Sequence, residues 1–162
     1  MIERLARILA DNCRKDGVAE TVVPRVHILR SVTPTEAVPI LHKPAVCFVA
    51  QGRKQTTLAD QVYLYEPMKF LIVSVDLPIA GQILEASHEK PYLCLRLDLD
   101  PGAIADVVSA AVPGGLRNEA PQRGIAVSDV PAPLLDAVVR LPPEASRRAA
   151  IAALFKYVAP PP

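Results

Sequence analysis

The side chains that could carry chemistry in this chain are few and stand apart from one another. The three histidines, His27, His42 and His88, occur singly, and none has a second histidine two residues away. A metal-dependent barrel enzyme needs several imidazoles and a carboxylate that converge on one ion. The spacing therefore predicts no metal site and no metal cofactor. It favours a protein that senses a ligand or acts as a scaffold over a metal-dependent enzyme that reacts with oxygen.

Nucleophilic catalysis has equally little support. Cys47 lies in an apolar run and Cys94 in a leucine-rich segment, where free cysteine usually behaves as a small hydrophobic residue. Arg96 is the one nearby cation that could activate Cys94. Ser74 lacks the flanking glycines of a nucleophile elbow. We therefore expect no enzyme activity, and we expect both thiols to pack in the core.

A short loop offers a first candidate for binding. Gly52 permits a tight turn between two strands, and Arg53 and Lys54 follow it directly, so the turn has two cations at its exit. The pattern is consistent with a solvated hairpin. The functional alternative is a loop that contacts an anion or another domain at the mouth of a barrel.

Aromatic residues and one arginine form a second candidate. Arg96 shares a strand face with Tyr92, and we expect it either to pair with a carboxylate such as Asp76 or Glu85 or to meet an anionic ligand. Three further aromatic residues could supply the apolar wall of such a pocket, with core packing as the alternative: Phe48, Tyr63 and Tyr65.

The segments that must position these residues are short, apolar and closed by turn residues. They cover residues 43–54, 56–67, 69–78 and 91–100. Such spacing is typical of an antiparallel sandwich or barrel. In the last segment two sets alternate: Leu93, Leu95, Leu97 and Leu99 with Tyr92, Cys94, Arg96 and Asp98. The alternation predicts one face packed on a core and leaves chemistry to the other face.

Helices are expected on both sides of this β region. An amphipathic helix is predicted over residues 2–13, with Gly17 as a stop signal beyond it. Asp100 and Pro101 have the types of an N-cap and a first helical residue. A further helix begins near residue 133, and a last amphipathic stretch covers 144–158.

The apolar stripes of these carboxy-terminal helices predict self-association. One stripe contains Leu134, Leu135, Val138 and Leu141, and the other includes Leu154. A chain of 17.4 kDa has difficulty covering both stripes, and uncovered stripes of this size usually bind a partner. We expect a symmetric dimer through these residues. The alternative is that the helices pack on the sheet of their own subunit and leave a monomer.

Composition limits the classes of function. The 162 residues are 51% hydrophobic and 22% charged, with a formal net charge of +1, so the chain is globular and lacks the basic excess of a nucleic-acid binder. No segment reaches the roughly 18 apolar residues of a membrane span. Three widely spaced cysteines and an amino terminus unlike a signal peptide favour the cytoplasm.

Many of the residues named above also form a motif. Its members are Lys43, Pro44, Cys47, Gln51, Gly52, Lys54, Tyr63, Tyr65, Leu71, Ser74, Val75, Asp76, Pro78, Ala86, Ser87, Pro91, Tyr92 and Leu93. On this motif, residues 20–141 resemble the amino-terminal domain of AraC-type transcription regulators. The resemblance implies a cupin-like barrel that senses a small-molecule effector or mediates dimerisation. In full-length relatives, a carboxy-terminal pair of helix-turn-helix units binds the promoter.

The resemblance and the segments together define the expected organisation. The fold class is α+β: a mainly antiparallel, cupin-like β-barrel of jelly-roll type, with an N-terminal helix and two or three C-terminal helices. We expect the N-terminal helix and lead-in over 1–19, the barrel and a following helix over 20–112, and a loop with C-terminal helices over 113–162. The tail from 142 looks unlike the family.

Three functions follow as alternatives. The first is a sensing or dimerisation domain without catalysis, whose DNA contacts belong to a helix-turn-helix region. We do not expect that region here, because 21 residues follow Leu141, too few for the pair. The second is a metal-dependent cupin enzyme, which the scattered histidines disfavour. The third is a standalone protein that pairs with a full-length regulator and blocks it.

Overall fold

The computed structural model describes residues 1–100, 102 and 124–140. The helices within this part are α1 (Ile2–Asn12) and α2 (Ala132–Val139). The strands are β1 (Gly17–Glu20), β2 (Val26–Ser31), β3 (Val38–His42), β4 (Ala45–Gln51), β5 (Arg53–Leu58), β6 (Gln61–Tyr65), β7 (Lys69–Val73), β8 (Leu77–Glu85), β9 (Tyr92–Asp98) and β10 (Ile125–Asp129). Neither described helix has the length and apolarity to cross a bilayer.

The strands form two sheets that pack face to face. The six-stranded sheet has the order β1-β2-β9-β4-β7-β10, and the four-stranded sheet has the order β3-β8-β5-β6. Every pair among the described strands is antiparallel. The predicted α+β class with a mainly antiparallel, cupin-like core is confirmed. The barrel is not closed, however, because the described strands form two separate hydrogen-bonded sheets.

Strand β9 separates two apolar cores, as its alternation predicts. Its leucines lie in the core that the helices cover, together with Leu5 and Leu9 of α1. Tyr92 and Cys94 lie in the second core, between the sheets, with Tyr65 of the facing sheet. Since successive side chains of a strand point to opposite faces, the chemically mixed face of β9 is directed to the space between the sheets.

Gly52 is the point where the chain passes from one sheet to the other. It separates β4 from β5 and has a φ of +82°, in the left-handed region that glycine tolerates best. A Cβ atom at this position would lie 2.5 Å from the backbone oxygen of Glu85. The predicted tight turn is confirmed, and it needs glycine for both conformation and space.

Two strand assignments differ from the sequence prediction. The run over 69–78 is not one segment, because β7 ends at Val73 in the six-stranded sheet and β8 begins at Leu77 in the four-stranded sheet. Strand β10 was not predicted; it pairs with β7, with Ile125 opposite Val73. Both features depend on pairing between distant segments, which local periodicity does not encode.

The helices cover the outer face of the six-stranded sheet. Leu134, Leu135 and Val138 of α2 are buried in the same core as Leu5 of α1. These three predicted dimer contacts are therefore core residues of their own subunit, because the helix folds back on its sheet. Two other predicted contacts, Leu141 and Leu154, lie outside the described residues, as do most of the helix expected after residue 100 and the stretch over 144–158.

Asp100 makes the first hydrogen bond expected of a residue at a helix start. Asp100 Oδ1 accepts a hydrogen bond from the backbone N–H of Gly102 at 3.1 Å. A side-chain oxygen that binds the N–H two positions later is the contact an N-cap residue makes. Asp100 thus makes the contact that its residue type predicts.

Candidate functional site

Polar and ionisable side chains gather in the otherwise apolar space between the two sheets. We refer to them as the inter-sheet cluster, whose members are His42, Cys47, Lys54, Tyr65, Tyr92 and Cys94. They come from five strands of both sheets. All except Lys54 are buried. The cluster is the one region of the described structure where several buried groups with polar chemistry face each other.

The two tyrosines of the cluster differ in how their hydroxyls are satisfied. The Tyr65 hydroxyl lies 3.3 Å from Thr56 Oγ1, a hydrogen-bonding distance. The Tyr92 hydroxyl is buried and has no hydrogen-bond partner among the described residues. Burial raises the pKa of both phenols well above the usual value, and nearby Cys47 and Cys94 add to the effect. Both are neutral at physiological pH, so each can donate a hydrogen bond.

The two thiols lie diagonally across neighbouring strands. Cys47 is opposite Arg96, and Val49 is opposite Cys94, so both thiols point to the same face at diagonal positions. A hydrogen bond with Cys94 is the largest effect that lowers the pKa of Cys47, and His42 and Lys54 lower it further. The same bond, with burial, raises the pKa of Cys94. Core packing, expected from the sequence, is confirmed for both thiols.

Lys54 is the one lysine of the inter-sheet cluster, which contains no arginine. Its side chain crosses above Gly81, where a Cβ atom would lie 3.2 Å from Lys54 Cε and 3.5 Å from Nζ. Within the described part of the chain no carboxylate lies within salt-bridge distance of Lys54. A half-buried ammonium group without a carboxylate can therefore accept an anion.

The predicted aromatic wall is split between two faces. Tyr63 packs against the inter-sheet core together with Tyr65 and Tyr92. Phe48 points the opposite way, into the core under the helices, where its ring centroid lies 5.7 Å from that of Phe70. Phe48 follows Cys47 directly, so the two must face opposite sides of the sheet. Phe48 therefore does not share a site with the three tyrosines.

Arg96 has a carboxylate partner, but neither of the two that the sequence suggested. Its Nε donates to Asp98 Oδ1 at 2.8 Å, and His27 Nε2 lies 2.9 Å from the other oxygen, Oδ2. The suggested partners are engaged elsewhere, since Asp76 binds Lys43 and Glu85 binds Arg53. Arg96 thus takes part in a local ion-pair network rather than presenting a free guanidinium.

The two cations after Gly52 point in different directions. Arg53 forms a salt bridge with Glu85, and its Nε is buried without a hydrogen-bond partner in the described structure. Lys54 turns into the space between the sheets instead. A β-bulge lies between Arg53 and Lys54 in the pairing of β5 with β8, and the two side chains have different surroundings. The predicted role of this loop in contacting an anion or another domain stays a prediction.

The histidines remain apart in three dimensions. His42 Nδ1 lies 2.6 Å from the backbone oxygen of Lys43, His27 contacts Asp98, and His88 is exposed. Across residues 1–100, 102 and 124–140, no group of three metal-ligating side chains has the geometry to hold an ion. The inter-sheet cluster nevertheless includes His42, Cys47 and Cys94, which the sequence did not single out for binding; the shared alternation of β4 and β9 was the available signal.

A concave surface lies elsewhere, on the outer side of the four-stranded sheet. It has a volume of about 500 Å³ and is lined by Pro39, Ile40, Leu41, Thr57, Ala59, Pro78, Ile79 and Ala80. All eight are uncharged. The surface lacks the charged or strongly donating groups that fix the orientation of a small ligand, so it is distinct in chemistry from the inter-sheet cluster.

Solved structures with the same fold belong to ToxT, a protein of Vibrio cholerae. An apo variant of ToxT from strain SCE256 has a TM-score of 0.60 at 8% identity over 83% of this chain. Wild-type ToxT with bound unsaturated fatty acid has a TM-score of 0.58 at 11% identity, also over 83%. ToxT from strain O395 with bound (E)-4-(8-methylnaphthalen-1-yl)but-3-enoic acid has a TM-score of 0.60 at 10% identity, over 82% of this chain.

The likeness to ToxT concerns only part of that protein. The match covers 55%, 53% and 55% of the three ToxT chains, so this chain spans about half their length. Identities this low establish a common fold and nothing finer. Comparison with curated proteins found no match.

A family comparison connects the fold with its sequence. The model for the N-terminus of AraC-type transcriptional regulators matches residues 22–159. The match extends past residue 142, whereas the sequence motif led us to expect a resemblance only over residues 20–141. It covers the whole of the inter-sheet cluster and most of the described strands. The chain therefore belongs to the family of AraC-type transcriptional regulator N-termini.

Proposed function

We propose that this domain is the sensing part of a transcription regulator and that its effector is a small apolar molecule with an anionic group. The effector would bind between the two sheets, at the inter-sheet cluster. The observation on which this depends is a buried Tyr92 hydroxyl without a partner in the described residues, in the same cluster as the carboxylate-free Lys54 ammonium.

The energetics of the two groups favour such a ligand. A buried donor without an acceptor costs about 1–3 kcal/mol, and native proteins usually fill such a position with water or a ligand. Lys54 is opposite Tyr65 in the pairing of β5 with β6, and Tyr65 and Tyr92 belong to one buried core, which supports a common binding region. A carboxylate there would accept from the hydroxyl and neutralise the ammonium, while leucine and tyrosine side chains of the inter-sheet core would contact an apolar tail.

The ligands present in ToxT support this chemical class. The unsaturated fatty acid and the substituted butenoic acid in those structures are both carboxylic acids with a large apolar part. In the present chain, a tail of that kind would have to displace the side chains of Tyr65 and Tyr92, which are buried in the same core. Binding would therefore select an expanded arrangement of the two sheets over the packed one.

The proposed output is a change in the arrangement of DNA-binding units, which in longer relatives belong to another part of the regulator. An effector acts only through its difference in affinity for the two arrangements. The domain itself would perform no catalysis, and we infer that it works as a homodimer. The pairing with a full-length regulator is the second candidate, since a dimer-forming domain would also combine with a longer copy.

Binding of oleate tests the proposal, with oleyl alcohol as an uncharged match. We expect oleate to bind more tightly, as measured by isothermal titration calorimetry below the micelle concentration. Lys54→Gln should weaken the binding of oleate at least about tenfold, because it removes an ion pair in a partly buried site. The affinity for oleyl alcohol should stay unchanged. Lys43→Gln is the control, because Lys43 pairs with Asp76 at an exposed position.

Two results would contradict the proposal. Equal affinity of the Lys54→Gln variant and the wild type for oleate would remove Lys54 from the site. One equivalent of iron, zinc, manganese or nickel in purified protein, lost when His27, His42 or His88 is changed to Ala, would favour the metal-dependent cupin enzyme instead.

A further inference from the structure

Two buried thiols converge on the inner face of the six-stranded sheet. In the pairing of β4 with β9, Cys47 is opposite Arg96 and Cys94 is opposite Val49, so the cysteines occupy diagonal positions on neighbouring strands. Both belong to the inter-sheet core and are almost fully buried. Both are free thiols. The fold thus brings two sulfur ligands together that are 47 positions apart in the sequence.

The diagonal arrangement suits a bridging ion better than a disulfide. A relaxed disulfide joins residues whose Cα atoms are roughly 4.4–6.8 Å apart. Diagonal neighbours in an antiparallel pair usually have Cα atoms about 7–8 Å apart, although their side chains can still meet. Two sulfurs that approach each other from such positions leave room for one ion between them. The register of the two strands therefore favours a link through a metal over a direct sulfur–sulfur bond.

The number of ligands limits which ion can bind. Within the described ranges, no group of three metal-ligating side chains could hold an ion, so the thiol pair offers two-coordinate binding. Structural zinc takes four ligands, and calcium and magnesium take oxygen ligands. Thiolates select soft ions such as Cu(I), which accepts two sulfur ligands. The ligand set of Cys47 and Cys94 therefore matches Cu(I).

The surroundings compensate the charge of such a site. Two thiolates and one monovalent cation have a net charge of −1, and a buried charge is costly unless it is paired. The ammonium group of Lys54 has no carboxylate partner in the described part of the chain, as noted above. The hydrogen bond with Cys94, and then His42 and Lys54, lower the pKa of Cys47. The environment thus favours the thiolate, which is the form that binds metal.

The hydroxyl of Tyr92 provides a separate observation. It is buried and has no hydrogen-bond partner among the described residues, and its proximity lowers the pKa of Cys94, although the hydrogen bond with Cys47 and burial raise it more. A neutral thiol is a weak acceptor, whereas a hydrogen bond to an ionised acceptor is about twice as strong as a neutral one. Ionisation of Cys94 on metal binding would therefore give the Tyr92 hydroxyl a good acceptor.

We propose that Cys47 and Cys94 bind one Cu(I) ion as thiolates, with Lys54 offsetting the negative charge and Tyr92 donating a hydrogen bond to the sulfur of Cys94. Each thiol that is still protonated releases its proton to solvent when the ion binds. This ligand class differs from that of the proposed effector. The inference depends on the thiol pair and needs no fatty acid.

Competition with the chromophoric Cu(I) chelator bicinchoninate, under anaerobic conditions, tests the inference on the full chain. We expect one equivalent of Cu(I) per chain. Cys47→Ser and Cys94→Ser should each weaken binding at least about a hundredfold, because one of the two ligands is lost. Cys13→Ser is the matched control and should keep the wild-type affinity, since Cys13 is a buried free thiol in the core under the helices.

Two further measurements sharpen the test. X-ray absorption of the copper-loaded protein should show two sulfur neighbours around the ion. Tyr92→Phe should weaken Cu(I) about tenfold, a smaller effect than the loss of either cysteine, because the hydroxyl supports a ligand and does not contact the ion. If a serine variant fails to fold by circular dichroism, Cys47→Ala and Cys94→Ala replace it.

The outcomes separate this inference from the proposed function. Absence of Cu(I) uptake, or equal affinity of wild type, Cys47→Ser and Cys94→Ser, overturns the copper site. Loss of two mass units when the metal-free protein is treated with peroxide, without Cu(I) uptake, would make the pair a disulfide instead. Oleate binding is measured without copper, so its failure would contradict the sensing proposal alone, and failure of Cu(I) binding would leave that proposal in place.

Discussion

The side chain of Lys54 reaches the space between the sheets by passing directly over Gly81. A Cβ atom on Gly81 would lie 3.2 Å from Lys54 Cε and 3.5 Å from Lys54 Nζ. Glycine at this point of β8 therefore leaves room for the ammonium group to lie flat against the neighbouring strand. The position of the proposed anion contact is set by a residue that has no side chain of its own.

Gly81→Ala should move the ammonium group without unfolding the domain. The new methyl group would displace the end of a flexible side chain by a few tenths of an ångström, and alanine in a strand interior is not strained. We expect the free energy of unfolding to change by less than about 1 kcal/mol, while oleate binds more weakly. Urea denaturation and calorimetry measure the two effects. Unchanged oleate affinity would show that the path of Lys54 over Gly81 does not matter for binding.

Gly52→Ala provides a contrasting case with the same chemical change. The φ of Gly52 is +82°, and the new methyl group would lie 2.5 Å from the backbone oxygen of Glu85. Strain of this kind should lower the free energy of unfolding by about 2 kcal/mol or more. Urea denaturation of both variants should therefore rank Gly52→Ala well below Gly81→Ala. The opposite ranking would contradict the described turn.

Loss of the hydroxyl should change the free energy of unfolding in opposite directions at the two buried tyrosines, Tyr65 and Tyr92. Tyr92→Phe removes an unpaired buried donor and should raise the free energy of unfolding by about 1 kcal/mol, whereas oleate binding weakens. Tyr65→Phe leaves Thr56 Oγ1 without its partner and should lower stability by about 1 kcal/mol. Urea denaturation compares the two variants. Destabilisation by Tyr92→Phe would indicate a partner for that hydroxyl.

Stability should fall at alkaline pH because of the same two phenols. Burial raises the pKa of Tyr65 and Tyr92 in the folded state, while in the unfolded state each titrates near 10. Above about pH 10 the unfolded chain releases protons that the folded chain retains, so the free energy of unfolding decreases as pH rises. The Tyr65→Phe, Tyr92→Phe double variant should show a shallower decrease. Parallel curves for the two proteins between pH 9 and 11 would exclude the phenols as its cause.

The buried stripe of α2 should behave as core. Leu134 is fully buried between α2 and the six-stranded sheet, so Leu134→Ala should lower the free energy of unfolding by about 2–5 kcal/mol. Val22→Ala, at an exposed position, should change it by less than about 0.5 kcal/mol. Sedimentation at concentrations where both remain folded should give equal self-association. If Leu134→Ala abolished the dimer without lowering the free energy of unfolding, Leu134 would be a dimer contact instead of a core residue.

Periodicity along the chain determined which side chains share a face. The leucines of β9 lie under the helices and Tyr92 and Cys94 lie between the sheets, as the alternation predicts, because a strand has no other way to orient successive residues. The turn at Gly52 and the helix α1 were predicted for the same kind of reason. Each depends on the types of a few neighbouring residues.

The tertiary structure decided what each face meets. A leucine stripe has the same sequence pattern whether it packs on its own sheet or on a second copy of the chain. Leu134 belongs to the core because α2 packs on the six-stranded sheet of its own subunit. Arg96 had several carboxylates within reach along the sequence, and the fold left it with Asp98 on its own strand. The inter-sheet cluster likewise exists because five strands from two sheets converge. Alternation fixes the side to which a residue points, but pairing between distant strands fixes its neighbours, and that pairing depends on interactions summed over the whole domain.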